Sequence, residues 1–269
     1  MMLMSLLLAL LADRYWPRHT SGYLAAWYAR LVPPKTGEQP DYSTGQQILI
    51  MLLPALLLGG MLWLAESFLL TFVVQTLVLI LALGKVDIKR HYRRYLEAGQ
   101  RGDTEAQAVY LGMLTQRQPS AETLDTCMAK CLLWLSYRYY SAPIIVFVLL
   151  GLPGLLLYCG ARYLSCNDAS EKTLPGLLLF WLDLIPVRIA TCGFLLVGHF
   201  ANATSAWLKG LLNFRLSAQH YLINVGQRAE ELDSRENNLC TRGALRLARR
   251  NNIFLAVFTA VLTLSGIIL

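Results

Sequence analysis

TLPGLLLFWLDLIPVRIATCGFLLVGHF, Thr173 to Phe200, decides the fold. It is apolar and long enough to cross a bilayer, which takes roughly 20 helical residues. Asp183 and Arg188 sit inside it, with Pro186 between them. A charge at the centre of a membrane helix costs about 2.5–3.5 kcal/mol on insertion scales, so such residues face the protein interior, pair, or line a wet cavity. Proline breaks the helical ladder and frees a carbonyl for a ligand. The other reading sets the block at the cytoplasmic interface, with Arg188 snorkelling to headgroups.

The rest of the chain agrees with a membrane setting. Of 269 residues, 55% are hydrophobic and 15% charged, against about 25% charged in a soluble domain. That excludes a disordered chain, a coiled coil and a nucleic-acid-binding tail, and argues against a simple soluble enzyme. Further apolar blocks run over 48–65, 67–84, 141–164 and 253–269. The block at 141–164 is interrupted by Pro143, Pro153 and Gly154. Met1 to Ala12 is apolar but short, lacks a basic leader and is followed by no small-residue cleavage site; it reads as a retained re-entrant or tilted helix. The fold class expected is therefore all-α, a polytopic helical membrane protein built as one integral membrane domain.

Between the apolar blocks lie two polar regions, 85–140 and 201–251, read as cytoplasmic helical segments. The first carries nine of the 24 Lys and Arg. Helix is expected over Val86–Gln116, with a turn at Gly99–Asp103. Another helix starts at Pro119 and Ser120, its apolar face formed by Leu124, Met128, Cys131, Leu132 and Leu135. Only Glu66 separates blocks 48–65 and 67–84, a hairpin connection. The net charge of +7 fits basic loops on the cytoplasmic side. On that rule Arg14–Gln47 also faces inward, while Glu66 and Ser165–Lys172 face outward.

Beyond Asp183 and Arg188, the candidate ligand-binding residues are Asp13, Arg14 and Arg138. Asp13 and Arg14 end the first helix, either as an interfacial terminus or as part of an ion-pair site. Arg138 stands among Trp134, Tyr137, Tyr139 and Tyr140, which read as an interfacial aromatic belt or as an anion site of guanidinium and phenols. The expectation is that Asp13, Arg138, Asp183 and Arg188 share one polar pocket. Lys85, Lys89, Arg90, Arg93 and Arg94 form a juxtamembrane basic cluster, a topology signal that also attracts anionic lipid.

No chemistry-bearing motif emerges. The cysteines, Cys127, Cys131, Cys159, Cys166, Cys192 and Cys240, contain no CxxC pair, and no structural disulfide is expected. The histidines, His19, His91, His199 and His220, match no metal spacing. No P-loop, GxGxxG or GxSxG occurs. No cofactor and no metal are expected. The expected partners are the bilayer, its anionic lipids, and a cytoplasmic protein or anionic small molecule, with no nucleic acid.

Five blocks carry a resemblance: LLALLADRYWP, HYRRYLEAGQRGDTEAQAVYLGMLTQ, LLWLSYRYYSAPIIVFVLLGLPGLLLY, WLDLIPVRIA and RGALRLARRNN. In them the chain resembles the AmpE family of Gram-negative inner-membrane proteins, itself distantly similar to the CobD/CbiB adenosylcobinamide-phosphate synthases. The synthases carry an acidic, Asn-containing stretch just before the position of Ala142–Pro143; here it reads Trp134 to Tyr140, without a carboxylate. A metal–phosphate site needs acidic oxygen ligands. The resemblance therefore implies a multi-pass inner-membrane accessory sensor linked to β-lactamase induction, antibiotic resistance and peptidoglycan recycling. Two alternatives stay open: a membrane enzyme related to the synthases with an altered substrate, and a transporter or lipid-binding protein.

Overall fold

A computed structural model describes residues 2–15, 28, 44–65, 68–83, 86–115, 128–167, 174–213, 216–230 and 237–266. Every regular element among them is helical. In chain order these are α1 (Met2–Tyr15), α2 (Thr44–Ala65), α3 (Phe68–Ala82), α4 (Val86–Gln100) and α5 (Thr104–Thr115). Then come α6 (Met128–Ser136), a π-helical turn (Tyr137–Ser141) and α7 (Ala142–Asn167). The chain closes with α8 (Leu174–Val197), α9 (Phe200–Leu211), α10 (Ala218–Ala229) and α11 (Asn237–Leu264). Among the described residues three helical stretches are long and apolar enough to cross a membrane: Met128–Ser165, Leu174–Val197 and Cys240–Leu264.

The first of these stretches is not a rod. Arg162 Nη1 lies 2.9 Å from the carbonyl oxygen of Arg138, 24 residues earlier. In a straight helix they would stand about 36 Å apart, at 1.5 Å per residue. The chain folds back at Gly151, whose φ of 68° and ψ of −159° belong to a region that only glycine enters without strain. Pro153 follows, without an amide hydrogen to continue the ladder. Gly154 completes the turn: a Cβ there would run into the Leu150 side chain. The first arm of this hairpin runs from Met128 to Leu150 and the second from Leu152 to Asn167.

This geometry puts Ser165 and Tyr140 at one end of the hairpin, so the expected outward Ser165 and inward Tyr140 do not both hold. A hairpin returns the chain to the end it left, so Ser165 sits at the Tyr140 end and not at the opposite face. The hairpin-like connection at Glu66, the N-cap at Ser120 and most of Ser165–Lys172 lie outside the described residues.

Elsewhere the local signals act as ordinary helix chemistry. The turn between α4 and α5 uses Gly102 at positive φ, and the Asp103 carboxylate accepts from the Ala106 amide at 2.9 Å, capping α5. Met128, Cys131, Leu132 and Leu135 are buried as their spacing predicts, but so are Ala129 and Leu133. α6 is therefore enclosed nearly all round. α11 runs unbroken from the basic stretch of 242–250 into the last apolar block. At 14 residues, α1 reaches about 21 Å, less than the roughly 30 Å hydrocarbon core.

Burial forms three apolar clusters. One joins α6, both hairpin arms, α8, α10 and α11. A second joins α1, α3 and the hairpin. The third seats α5 and α6 against Tyr92 and Tyr95 of α4. Burial raises the Tyr92 phenol above its ordinary value, opposed by the charges of Arg242 and Arg249. Large apolar side chains elsewhere stay exposed, among them Leu56, Leu69, Leu150 and Val257, as expected of surfaces that meet lipid.

Candidate functional site

Asp183 lies midway along α8 with 3% of its surface exposed. A buried carboxylate needs donors, and two phenols supply them. The Tyr137 hydroxyl donates to Asp183 Oδ1 at 2.8 Å. The Tyr158 hydroxyl donates to the same oxygen at 3.3 Å. Tyr137 belongs to the π turn on the first arm and Tyr158 to the second arm, so the site exists only because the hairpin closes.

The π turn has a local cause. The Ala142 amide bonds the Tyr137 carbonyl, a step of five residues instead of four. The next amide position belongs to Pro143, which has no hydrogen to give. The Arg138 carbonyl is thus left without a helical donor, and the Arg162 guanidinium fills the gap at 2.9 Å. π turns concentrate at functional sites because they re-aim side chains. Here the turn presents four consecutive large residues to different partners.

Tyr137 turns to Asp183 and stacks on Trp134, ring centroids 5.4 Å apart. Arg138 lies over the Trp134 ring at 5.6 Å. Tyr139 receives Arg162 on its face at 4.5 Å. Tyr140 donates to Asp13 Oδ2 at 3.0 Å, tying the end of α1 to the same turn. Arg162 also lies over the Tyr158 ring at 5.9 Å, bordering a phenol that donates to Asp183. The site therefore combines one buried carboxylate, two phenol donors and two partly buried guanidiniums.

Of the residues singled out in the sequence, Asp183, Arg138 and Asp13 gather around the π turn. Arg188 goes elsewhere. Its Nη1 bonds the Leu184 carbonyl at 2.6 Å and its Nε the Leu211 carbonyl at 3.4 Å, beside Asn213 and Tyr221. Arg14 ends α1, but its side chain is not among the described ones. Arg90, Arg93 and Arg94 are exposed on α4; Lys85 lies outside the described residues, and the Lys89 side chain is not described. Among the described residues no His, Cys, Asp or Glu cluster is arranged to hold a metal. Cys131, Cys159, Cys192 and Cys240 are not in disulfides. Cys127 lies outside the described residues and the Cys166 side chain is not described.

Sequence reading missed Tyr158 and Arg162, which lie in an apolar block, and Tyr28. The Tyr28 hydroxyl bonds the Leu156 carbonyl at 3.1 Å, behind the second arm. The signal for Arg162 was present: like Asp183, it is a charge beside a membrane-length apolar run.

An all-helical chain with membrane-length apolar helices, a doubled-back hairpin and a buried carboxylate–phenol cluster is a helical membrane protein with an internal polar site. The chain belongs to the AmpE family: it matches the family described as "Regulatory signalling modulator protein AmpE" over residues 1–269. A relative named "Protein AmpE", from Shigella flexneri, is 27% identical over 213 residues, covering 73% of this chain and 75% of the relative. No solved structure matches it.

Proposed function

We propose that this protein is an inner-membrane signalling modulator whose working part is the Asp183 cluster, acting by conformational change and without covalent chemistry. The observation that carries the reading is the Asp183 carboxylate held by phenols from both arms of one hairpin. A buried polar network fully paired in one arrangement resists partial change, so a shift in any member moves the hairpin against α8. Two carboxylates, Asp13 and Asp183, and two guanidiniums, Arg138 and Arg162, meet around the π turn, and we take as the signal a small anion, or an acidic group on a cytoplasmic protein, that exchanges with one of these carboxylates. Such an anion competes with that carboxylate for Arg138 and Arg162. Arg188 belongs to this reading as a second anchor of α8. Arg90, Arg93 and Arg94 would hold α4 to anionic lipid at about 1 kcal/mol per charge.

The output we assign, from family membership, is β-lactamase induction coupled to peptidoglycan recycling, and hence antibiotic resistance. The test is a strain with inducible β-lactamase, deleted for this gene and complemented in trans. Asp183→Asn and the double variant Tyr137→Phe/Tyr158→Phe should insert at wild-type levels and lose most of the induction. Full induction by both variants overturns the assignment of the site.

A further inference from the structure

An apolar groove of about 300 Å³ lies between α2, the second hairpin arm and α8. Ile48, Met51 and Leu52 form one wall, Leu157 the floor, and Leu178 and Trp181 the other wall. We propose that this groove binds a single hydrocarbon chain of a membrane amphiphile, and that the chain is sensed at Asp183. The second half of the proposal rests on the signalling reading above; the first half does not.

Size and setting choose the occupant. An apolar cavity of about 150 Å³ takes up benzene, so twice that volume accepts a chain on the order of a dozen carbons. A partner helix, about 10–12 Å across with its side chains, does not enter a space of this size. The groove is cut into apolar helices and has an open side: Ile48 is 43% and Trp181 64% exposed. Water has nothing to bond to on these walls.

Position gives the groove an orientation. Ile48 lies in the second turn of α2, which starts at Thr44, while Leu178 and Trp181 lie in the first two turns of α8, which starts at Leu174. Both walls therefore begin where their helices begin, and Gln46 marks the polar end of α2. A chain entering from that end lies alongside both helices, with its head group left outside. Its inner stretch meets Leu157, the neighbour of Tyr158, and Trp181, two residues before Asp183. Filling the groove thus presses on the two backbone segments that present the phenol and the carboxylate to each other.

The full-length protein should be reconstituted in phosphatidylcholine vesicles doped with a diazirine-bearing acyl lipid. One series would carry a phosphatidylglycerol head group on the probe and the other phosphatidylcholine. Crosslinks should map to Met51, Leu157 and Trp181 and be competed away by unlabelled lipid. Equal yield in the two series means that the chain alone is recognised; preference for phosphatidylglycerol means that an anionic head adds to it. Leu178→Trp, which fills the groove, should cut the crosslinking on the order of tenfold. Leu52→Phe is the milder filler should Leu178→Trp fail to fold, and Val257→Trp, on the exposed face of α11 and outside the groove, should change nothing. Asp183→Asn should crosslink like wild type, so that failure of the groove and failure of the signalling site are read separately. Crosslinks spread evenly over Leu150 and Val257, or uncompeted by lipid, overturn the binding site. Wild-type induction in a folded Leu178→Trp protein overturns the coupling to Asp183.

Discussion

Asp183 and Arg188 are five residues apart on one helix, yet they are answered in different ways. Asp183 takes side-chain donors from Tyr137 and Tyr158, 46 and 25 residues away. Arg188 bonds the carbonyl of Leu184, one turn back, and that of Leu211. The carboxylate is thus wired to side chains of the hairpin, while the guanidinium is tied to backbone carbonyls of α8 and of the end of α9. A charge in an apolar segment must find partners, and the partners decide whether it reports on side chains of a movable hairpin or clamps backbone to backbone. On this view Asp183 is the signalling charge and Arg188 an anchor.

The largest expected effect comes from removing the turn that separates these two fates. Gly151→Val places a branched side chain at positive φ, a strain of order 1–3 kcal/mol. It should abolish the folded protein or sharply lower its melting temperature in detergent. A melting temperature equal to wild type would show that the hairpin does not depend on that backbone.

Next come the donors. Tyr137→Phe leaves Asp183 with one phenol and should cost about 1–3 kcal/mol in thermal unfolding. Tyr158→Phe, removing the longer bond, should cost less. The reverse order would mean that the 2.8 Å and 3.3 Å bonds have been ranked wrongly. A smaller effect sharpens the comparison itself. Asp183→Asn and Tyr137→Phe should be non-additive by about 0.5–3 kcal/mol, whereas Asp183→Asn and Arg188→Ala should add to within about 0.5 kcal/mol. Coupling of the second pair equal to that of the first would merge the two charges into one site. The smallest effect belongs to the Arg246–Glu230 pair, 3.6 Å apart, whose arginine is exposed and whose glutamate is partly buried. Its removal should shift stability by less than about 1 kcal/mol.

Much of the helical plan was legible because apolar run length and Gly/Pro punctuation are local signals. The turn at Gly99–Asp103 and the buried row from Met128 to Leu135 follow from spacing alone. Asp183 and Arg138 stood out because charge beside lipid-length sequence demands an explanation. The hairpin was not legible. A run of 24 residues reads equally well as one crossing or as two arms, and only the backbone angle at Gly151 separates them. Tyr158 stayed hidden for the same reason, since a phenol in an apolar run declares no partner until the chain doubles back. The parting of Arg188 from Asp183 was equally invisible: side chains five positions apart differ in direction by more than a quarter turn, and what each one meets is tertiary.

The central claim is that residues 128–167 fold back on themselves and so bring Tyr137 and Tyr158 to Asp183. The most direct test is the distance between spin labels at Lys130 and Ser165, measured by double electron–electron resonance with the native cysteines replaced. A hairpin predicts a separation less than half that of a straight helix. A distance near 50 Å, the length of about 35 residues at 1.5 Å each, would mean one continuous helix and would contradict the account.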